Sequence, residues 1–280
     1  GEELGALLRR EGAQSLARTL HIAAQVACGL DDAHSYGFIH RDLKPDNIFL
    51  VRGAEGDRVR ILDFGSVKLQ LETGPKLTAF GTTLGSPYYM SPEQAMGRPD
   101  VDNRSDVFAL GAIVYETLSG KVAFEGETVA EILMKILSQS PVPLSVQRPG
   151  LPASLDEVID RALAKDKTKR HSSALAFVGD LLHALGLRAS EEPATREEIE
   201  EWCKRPLKEI EEALAKATPR QARPYSAQAT QAEPSGQKQE ERETLVLSSP
   251  SNRSFRSVWL WAGIAALCLL GLAGVWLFGR

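Results

Sequence analysis

The sequence predicts an α+β fold that is mainly α-helical, followed by a disordered linker and one transmembrane helix. Three observations support this prediction. Apolar residues recur with helical spacing over much of residues 15–185, strand-like apolar runs flank a polar loop near residue 45, and an uncharged apolar run covers residues 258–278. With 280 residues, of which 43% are hydrophobic and 25% charged, the chain is long enough for one large domain or two of ordinary size.

Charge and cysteine content exclude several classes of protein. The formal net charge is −4, from 33 basic and 37 acidic residues, so no general basic field exists for nucleic acid. The three cysteines are odd in number and far apart, and they form no CxxC pair. This argues against a disulfide framework and against a zinc cluster, and it makes a reducing compartment the default expectation. They are Cys28, Cys203 and Cys268.

The first elements surround a polar loop. Residues 15–36 have helical spacing that ends near Gly37. Two short strands are predicted at 38–39 and 48–51, on either side of a proline-containing stretch, and a third at 59–62 after a turn.

A long segment without periodicity, residues 66–92, separates these elements from the helical part of the chain. Loops of this length are usually functional or disordered. Beyond it, the apolar pattern predicts helices at 104–119, 127–139, 154–165 and 172–185.

The charged segment 195–217 carries a helix signature. Thr195 and Glu198 have the spacing of a capping box, and Pro206 is expected to kink the segment. A helical linker and a small docking helix are both compatible with its apolar stripe. The stripe consists of Ile199, Trp202, Ile210 and Leu214.

The carboxyl-terminal part predicts a membrane anchor. Residues 218–257 are rich in proline, glutamine, serine and alternating charges, as expected of a disordered tether. The 21 uncharged residues 258–278 are long enough to span a bilayer, and tryptophans lie near both ends. Arg253 and Arg256 precede the span and only Arg280 follows it, so the bias of basic residues favours a cytoplasmic body.

The loop His40-Arg41-Asp42-Leu43-Lys44-Pro45-Asp46-Asn47 carries the chemistry. An asparagine at one strand end and Asp63 at the next can hold a hard cation through oxygen. Asp42 is then a candidate base, and Lys44 a point charge for a phosphate. Together, a cation site, a base and a cation for a phosphate indicate phosphoryl transfer assisted by Mg²⁺.

The motif HRDLKPDN is followed at the right interval by Asp63-Phe64-Gly65 and then by Ser91-Pro92-Glu93. This combination resembles the eukaryotic-type (Hanks-type) Ser/Thr protein kinase family. Within that family it resembles the bacterial membrane-anchored branch. The resemblance covers residues 1–186 and implies a protein-kinase-like fold of which this chain holds the helical C-terminal lobe. The implied organisation is a kinase lobe at 1–186, a charged helical linker at 187–217, a disordered tether at 218–257 and a transmembrane helix at 258–278.

The resemblance also implies roles for individual residues. Asp42 would accept the hydrogen bond of the substrate hydroxyl, and Lys44 would neutralise charge on the transferring phosphoryl group. Asn47 and Asp63 would hold the Mg²⁺ ions that bridge the phosphates of ATP, so ATP and Mg²⁺ are the expected cofactors. His40 is expected to support Phe64 and the loop by packing, without a catalytic role.

Further matches are regulatory or structural. Residues 63–93 resemble an activation loop, in which Ser86 takes the place usual for threonine and Thr78, Thr82 and Thr83 are candidate phosphorylation sites. Arg41 is typical of kinases whose loop is ordered by phosphorylation. Three other residues are expected to be structural. They are Asp106, as anchor of the loop backbone, and the buried ion pair of Glu93 with Arg170.

One part of the family pattern is not found. Residues 1–39 contain no lysine and no Gly-x-Gly-x-x-Gly, so the strand lysine and Gly-rich loop of an N-terminal lobe are missing from this sequence. Either this sequence is a truncated piece of a longer protein or the natural chain is a degenerate remnant. The intact loop and the start at Gly1 favour truncation, and this chain alone is expected to be inactive.

The sequence therefore predicts a membrane-anchored Ser/Thr protein kinase, and the alternative is a pseudokinase or membrane scaffold without catalysis. The expected partners are protein substrates with Ser/Thr hydroxyls, the lipid bilayer through 258–278 and, as a candidate, a second copy in a homodimer. No nucleic acid partner is expected. The expected location is a bacterial inner membrane with the kinase body in the cytoplasm.

Overall fold

The computed structural model describes residues 1–54, 56–64 and 87–219. They contain one antiparallel sheet with the order β1-β2-β3, in which Leu50 of the central strand pairs with both Glu2 and Val59. The strands are β1 (Glu2–Glu3), β2 (Ile48–Arg52) and β3 (Asp57–Ile61). The α-helices are α1 (Leu4–Glu11), α2 (Leu16–Ser35), α3 (Pro92–Ala95), α4 (Arg104–Ser119), α5 (Val129–Ser138), α6 (Leu144–Gln147), α7 (Ser154–Ala162), α8 (Ala174–Ala184), α9 (Arg196–Lys204) and α10 (Leu207–Lys216). Short 3₁₀ turns lie at Pro45–Asn47, Pro87–Tyr89 and Lys167–Lys169.

Helix α4 forms the centre of the described core. Its residues from Ser105 to Tyr115 are all buried, which explains why this segment is apolar all round instead of showing one stripe. Helices α2, α7 and α8 pack around it. Gly111 lets α7 approach closely, because a Cβ at this position would lie 2.9 Å from the Ala162 Cβ.

The β2–β3 hairpin is attached to α2 by buried polar contacts. The Arg18 guanidinium pairs with the Asp57 carboxylate at 2.7 Å, and the Gln25 amide exchanges hydrogen bonds with the backbone at Asp57 and Val59. The turn before β3 needs glycine at position 56, because its φ is +143° and a Cβ would meet the Leu207 side chain at 3.2 Å. These contacts fix the end of the hairpin against α2 and α10.

Most predicted helices are present, with ends that differ by a few residues. The patterns at 15–36 and 104–119 correspond to Leu16–Ser35 and Arg104–Ser119. The strand predicted at 38–39 was wrong. The Phe38 N–H instead donates to the Ala33 carbonyl at 2.9 Å, and Gly37 has φ +78°, so these residues cap α2.

The segment 195–217 forms two helices that pack on α2. Thr195 and Glu198 make the predicted capping box, and Pro206 separates α9 from α10. Ile199, Trp202 and Ile210 are buried, so the apolar stripe faces the domain and not the solvent.

Two predicted features lie outside the described residues: the tether from residue 220 onward and the transmembrane helix at 258–278. Within the described ranges, no helix has both the length and the apolar character needed to cross a bilayer.

Lys165 is a buried cation beside the α4 core. Its ammonium lies 4.1 Å from the centroid of the Phe124 ring, and no described residue accepts a hydrogen bond from it. Burial lowers the pKa of Lys165 from 10.5 to about 7, a shift that Asp160 opposes and Arg170 reinforces. The charged form of this side chain is therefore destabilised by the fold.

We expect Lys165→Met to raise the free energy of unfolding by about 1–3 kcal/mol at pH 6, since methionine fills a similar space without a buried charge. Between pH 7 and 10.5 the unfolded wild type binds a proton that the folded state does not, so wild-type stability should rise with pH and the difference should shrink. Urea unfolding at pH 6 and 9.5 measures this. The exposed Lys208→Met is the control, and a difference that stays constant with pH would contradict the prediction.

Candidate active site

Asp106, in the first turn of α4, holds the backbone of the loop that begins at His40. One carboxylate oxygen, Oδ2, accepts the His40 N–H at 2.8 Å, and the other, Oδ1, accepts the Arg41 N–H at 2.9 Å. The His34 Nε2 atom, from the end of α2, lies 2.8 Å from Oδ2. Asp106 is only 1% exposed, so these contacts replace water around its carboxylate.

Arg41 is held in a left-handed backbone conformation with φ +64°, which is uncommon for a residue other than glycine. Two neighbours fix this conformation: Asp106 accepts its N–H, and the Gln94 amide donates to its carbonyl at 2.6 Å. Gln94 also closes the capping box of α3. Helix α3 is thereby connected to the loop that begins at His40.

His40 is a packed residue that touches both the strand end and Phe64. It is fully buried, and its Nε2 atom lies 2.9 Å from the Leu62 carbonyl oxygen. Its ring meets the Phe64 ring edge-on, with 4.8 Å between the centroids. His40 therefore connects the loop to the residues that follow β3.

Three of the predicted site residues meet on the loop. The Lys44 ammonium donates to the Asp42 carboxylate at 2.8 Å. The Asn47 amide nitrogen donates to the Asp42 carbonyl at 2.8 Å and approaches its carboxylate at 3.4 Å. The Asp42 side chain remains 41% exposed, so its carboxylate can reach a substrate.

Asp63 is brought to the same place by the hairpin. The Leu62 N–H donates to the Asn47 carbonyl at 2.8 Å, and Asp63 follows with φ +61°, a second left-handed residue at the site. Because the amide nitrogen of Asn47 is used by Asp42, its amide oxygen is the atom that can bind a cation. An amide oxygen and a carboxylate fit Mg²⁺, which binds few protein ligands and takes the rest from water and phosphate.

The described residues contain no group of three or more His, Cys, Asp or Glu side chains with metal-binding geometry. Among the residues that the structure describes, Asn47 and Asp63 are the candidate ligands for a cation at this loop.

The ion pair of Glu93 and Arg170 is present and buried. Two parallel hydrogen bonds of 2.7 Å join the guanidinium to the carboxylate, and Ser105 donates a third at 2.6 Å. Burial raises the pKa of Glu93, but the hydrogen bonds from Arg170 and Ser105 outweigh it and hold that pKa at about 2. The pair joins α3 to the turn before α8, close to α4.

The predicted activation-loop sites lie outside the described residues. These are Thr78, Thr82, Thr83 and Ser86, together with Gly65 of the DFG tripeptide. Sequence reasoning missed His34 and Gln94, whose contacts with Asp106 and Arg41 support the loop. Their partners are 72 and 53 residues away in sequence, so local spacing contains no signal for either contact.

A family model described as the protein kinase domain matches residues 1–182, and the chain belongs to this family. The curated relatives that it matches include bacterial serine/threonine-protein kinases. One is pkn3 of Myxococcus xanthus, 41% identical over 186 residues, which cover 65% of this chain and 34% of the relative. Another is PknB of Mycobacterium tuberculosis, 34% identical over 182 residues, which cover 65% of this chain and 28% of the relative. The chain thus spans about a third or less of these relatives.

The solved structures also identify the fold as kinase-like. A crystal structure of Rad53 1-466 in complex with AMP-PNP superposes with a TM-score of 0.51 at 26% identity, and the match covers 65% of this chain and 44% of that one. The protein-kinase-like fold predicted from the sequence is confirmed.

Proposed function

We propose that this chain is the helical C-terminal lobe of a Ser/Thr protein kinase, which transfers the γ-phosphoryl group of ATP to hydroxyls of protein substrates. The observation that carries the proposal is the cluster of Asp42, Lys44 and Asn47 on a loop whose backbone Asp106 clamps. Relatives named serine/threonine-protein kinase support the same activity.

Each side chain has a defined task in this proposal. The exposed Asp42 carboxylate accepts the hydrogen bond of the substrate hydroxyl and orients it. Lys44, 2.8 Å from Asp42, balances the charge of the phosphoryl group during transfer. Asn47 and Asp63 hold Mg²⁺, which neutralises the nucleotide phosphates when it is bound.

The proposal extends to a membrane-anchored protein. The apolar run at 258–278 and the polar tether before it support a single span, and the arginines at 253 and 256 support a cytoplasmic kinase body. In this arrangement the lobe acts at the inner face of a bacterial inner membrane. Association into a homodimer would bring two such lobes together there.

The experiment uses the full native protein, isolated from membrane and soluble fractions. We expect the protein in the membrane fraction, from which detergent releases it and high salt does not.

For the kinase activity, we expect Mg²⁺-dependent transfer of labelled γ-phosphate to Ser and Thr residues of a peptide library. Mg·ATP should also raise the melting temperature. The absence of both transfer and stabilisation would contradict the kinase proposal and favour a scaffold.

A further inference from the structure

Cys28 and Cys203 lie against each other although 175 residues separate them in sequence. Their Sγ atoms are 3.8 Å apart, in contact but without a bond. Cys28 lies on α2 and Cys203 near the end of α9, and each is partly exposed to solvent. A disulfide bond of about 2.05 Å therefore needs an approach of about 1.8 Å.

The surrounding contacts keep the two thiols together. The Arg196 guanidinium, on α9, pairs with Asp32 at 2.6 Å and with Asp31 at 3.3 Å, both on α2. The buried side chains of Ile199 and Trp202 complete the contact between the two helices. The pair is therefore held by packing and by ion pairs before any bond forms.

The two cysteines are not equivalent in reactivity. The hydrogen bond with Cys203 lowers the pKa of Cys28. Burial opposes this lowering, and the Arg196 guanidinium reinforces it. The same hydrogen bond and burial raise the pKa of Cys203. Glu200 and Asp31 are the acidic groups that face the pair, and both disfavour the Cys28 thiolate. The Arg196 guanidinium, which lies on α9 beside the pair, favours a thiolate at Cys28.

We infer that Cys28 and Cys203 are a site of reversible oxidation by hydroperoxides, which converts the thiol pair into a disulfide between α2 and α9. The Cys28 thiolate attacks one peroxide oxygen, an S–O bond forms as the O–O bond breaks, and the departing oxygen takes up a proton. The Cys203 thiol then attacks the Cys28 sulfenic acid and releases water. In total, two thiols and one hydrogen peroxide give one disulfide and two waters.

Oxidation would fix α9 covalently to the domain. In the reduced state the contact between α2 and α9 depends on the Arg196 ion pairs and on apolar packing, whereas a disulfide would join the two helices covalently. Transient disulfides of this kind suit a reducing compartment, where they are redox-sensing and not structural. This inference does not depend on kinase activity.

The test uses the full chain with Cys268→Ser, so that only this pair can react. After treatment with hydrogen peroxide, we expect a tryptic peptide of residues 19–41 linked to one of residues 197–204, and its loss after dithiothreitol. The oxidised chain should melt several degrees higher than the reduced one. Failure to form the linked peptide in folded protein would overturn the inference.

Two further variants identify the order of the steps. With Cys203→Ser, we expect a sulfenic acid at Cys28 that dimedone traps, because no partner thiol resolves it. With Cys28→Ser, trapping at Cys203 should be about tenfold slower, because burial still disfavours its thiolate. Equal trapping at both positions, or faster trapping at Cys203, would contradict the assignment of Cys28 as the attacking thiol.

Discussion

Replacing Asp42 with Asn is expected to lower kcat for phosphoryl transfer in the full native protein by about 10²–10⁴-fold. The amide has nearly the same shape, but it cannot accept the proton of the substrate hydroxyl. It also removes the negative charge that orients Lys44 at 2.8 Å. Because the Asp42 side chain is 41% exposed, the melting temperature should change little.

The matched control is Glu211→Gln, which makes the same chemical change on the exposed face of α10. Initial rates with labelled ATP at saturating substrate measure kcat for both variants. Retention of wild-type kcat by Asp42→Asn would show that this carboxylate is not the group that handles the proton. Loss of activity in both variants would point to a general defect.

Removing Arg170 is expected to cost about 3–5 kcal/mol of the free energy of unfolding. The Arg170 side chain is fully buried, and both of its terminal nitrogens donate to Glu93 at 2.7 Å. In Arg170→Met the Glu93 carboxylate stays buried and keeps only Ser105 as a side-chain donor. Urea unfolding at pH 7 measures the loss, and the exposed Arg161→Met should cost less than about 1 kcal/mol.

A double variant and a pH series separate charge from packing. In Glu93→Gln/Arg170→Met no unpaired charge remains, so part of the stability should return. In the wild type Glu93 has a folded pKa of about 2 against 4.5 unfolded, so its contribution is present above pH 4.5 and is lost as the pH falls toward 2. Arg170→Met should lack this acid-dependent loss. An equal loss in both proteins would contradict the role of the pair.

The helices with a regular spacing of apolar residues, and the helix cap formed by residues close in sequence, were predictable from the sequence. The helices at 16–35 and 104–119 have clear periodicity, and the Thr195–Glu198 cap follows from residue types three positions apart. Phe38 was misassigned because an apolar pair after a helix resembles a strand, whereas its N–H is used to cap the helix. The apolar stripe of α9 was visible, but the sequence could not identify the surface it covers.

The residues of the candidate site could be named from the sequence. The structure adds the contacts that hold those residues in place. HRDLKPDN and Asp63 are adjacent to recognisable strand ends, so their meeting follows from the hairpin between them. The contacts of His34 with Asp106, and of Cys28 with Cys203, join residues 72 and 175 positions apart. Only tertiary packing creates such contacts, and the spacing of residues in a single sequence does not contain them.

Helix α2 links the last helices of the domain to the loop that begins at His40. Its middle carries α9 and α10, and its last turn holds His34 against Asp106, the residue that clamps the catalytic loop. A displacement of α9 and α10 therefore acts first on their contact with α2. A displacement of α2 then reaches Asp106 through His34 and, through Asp106, the backbone of Arg41.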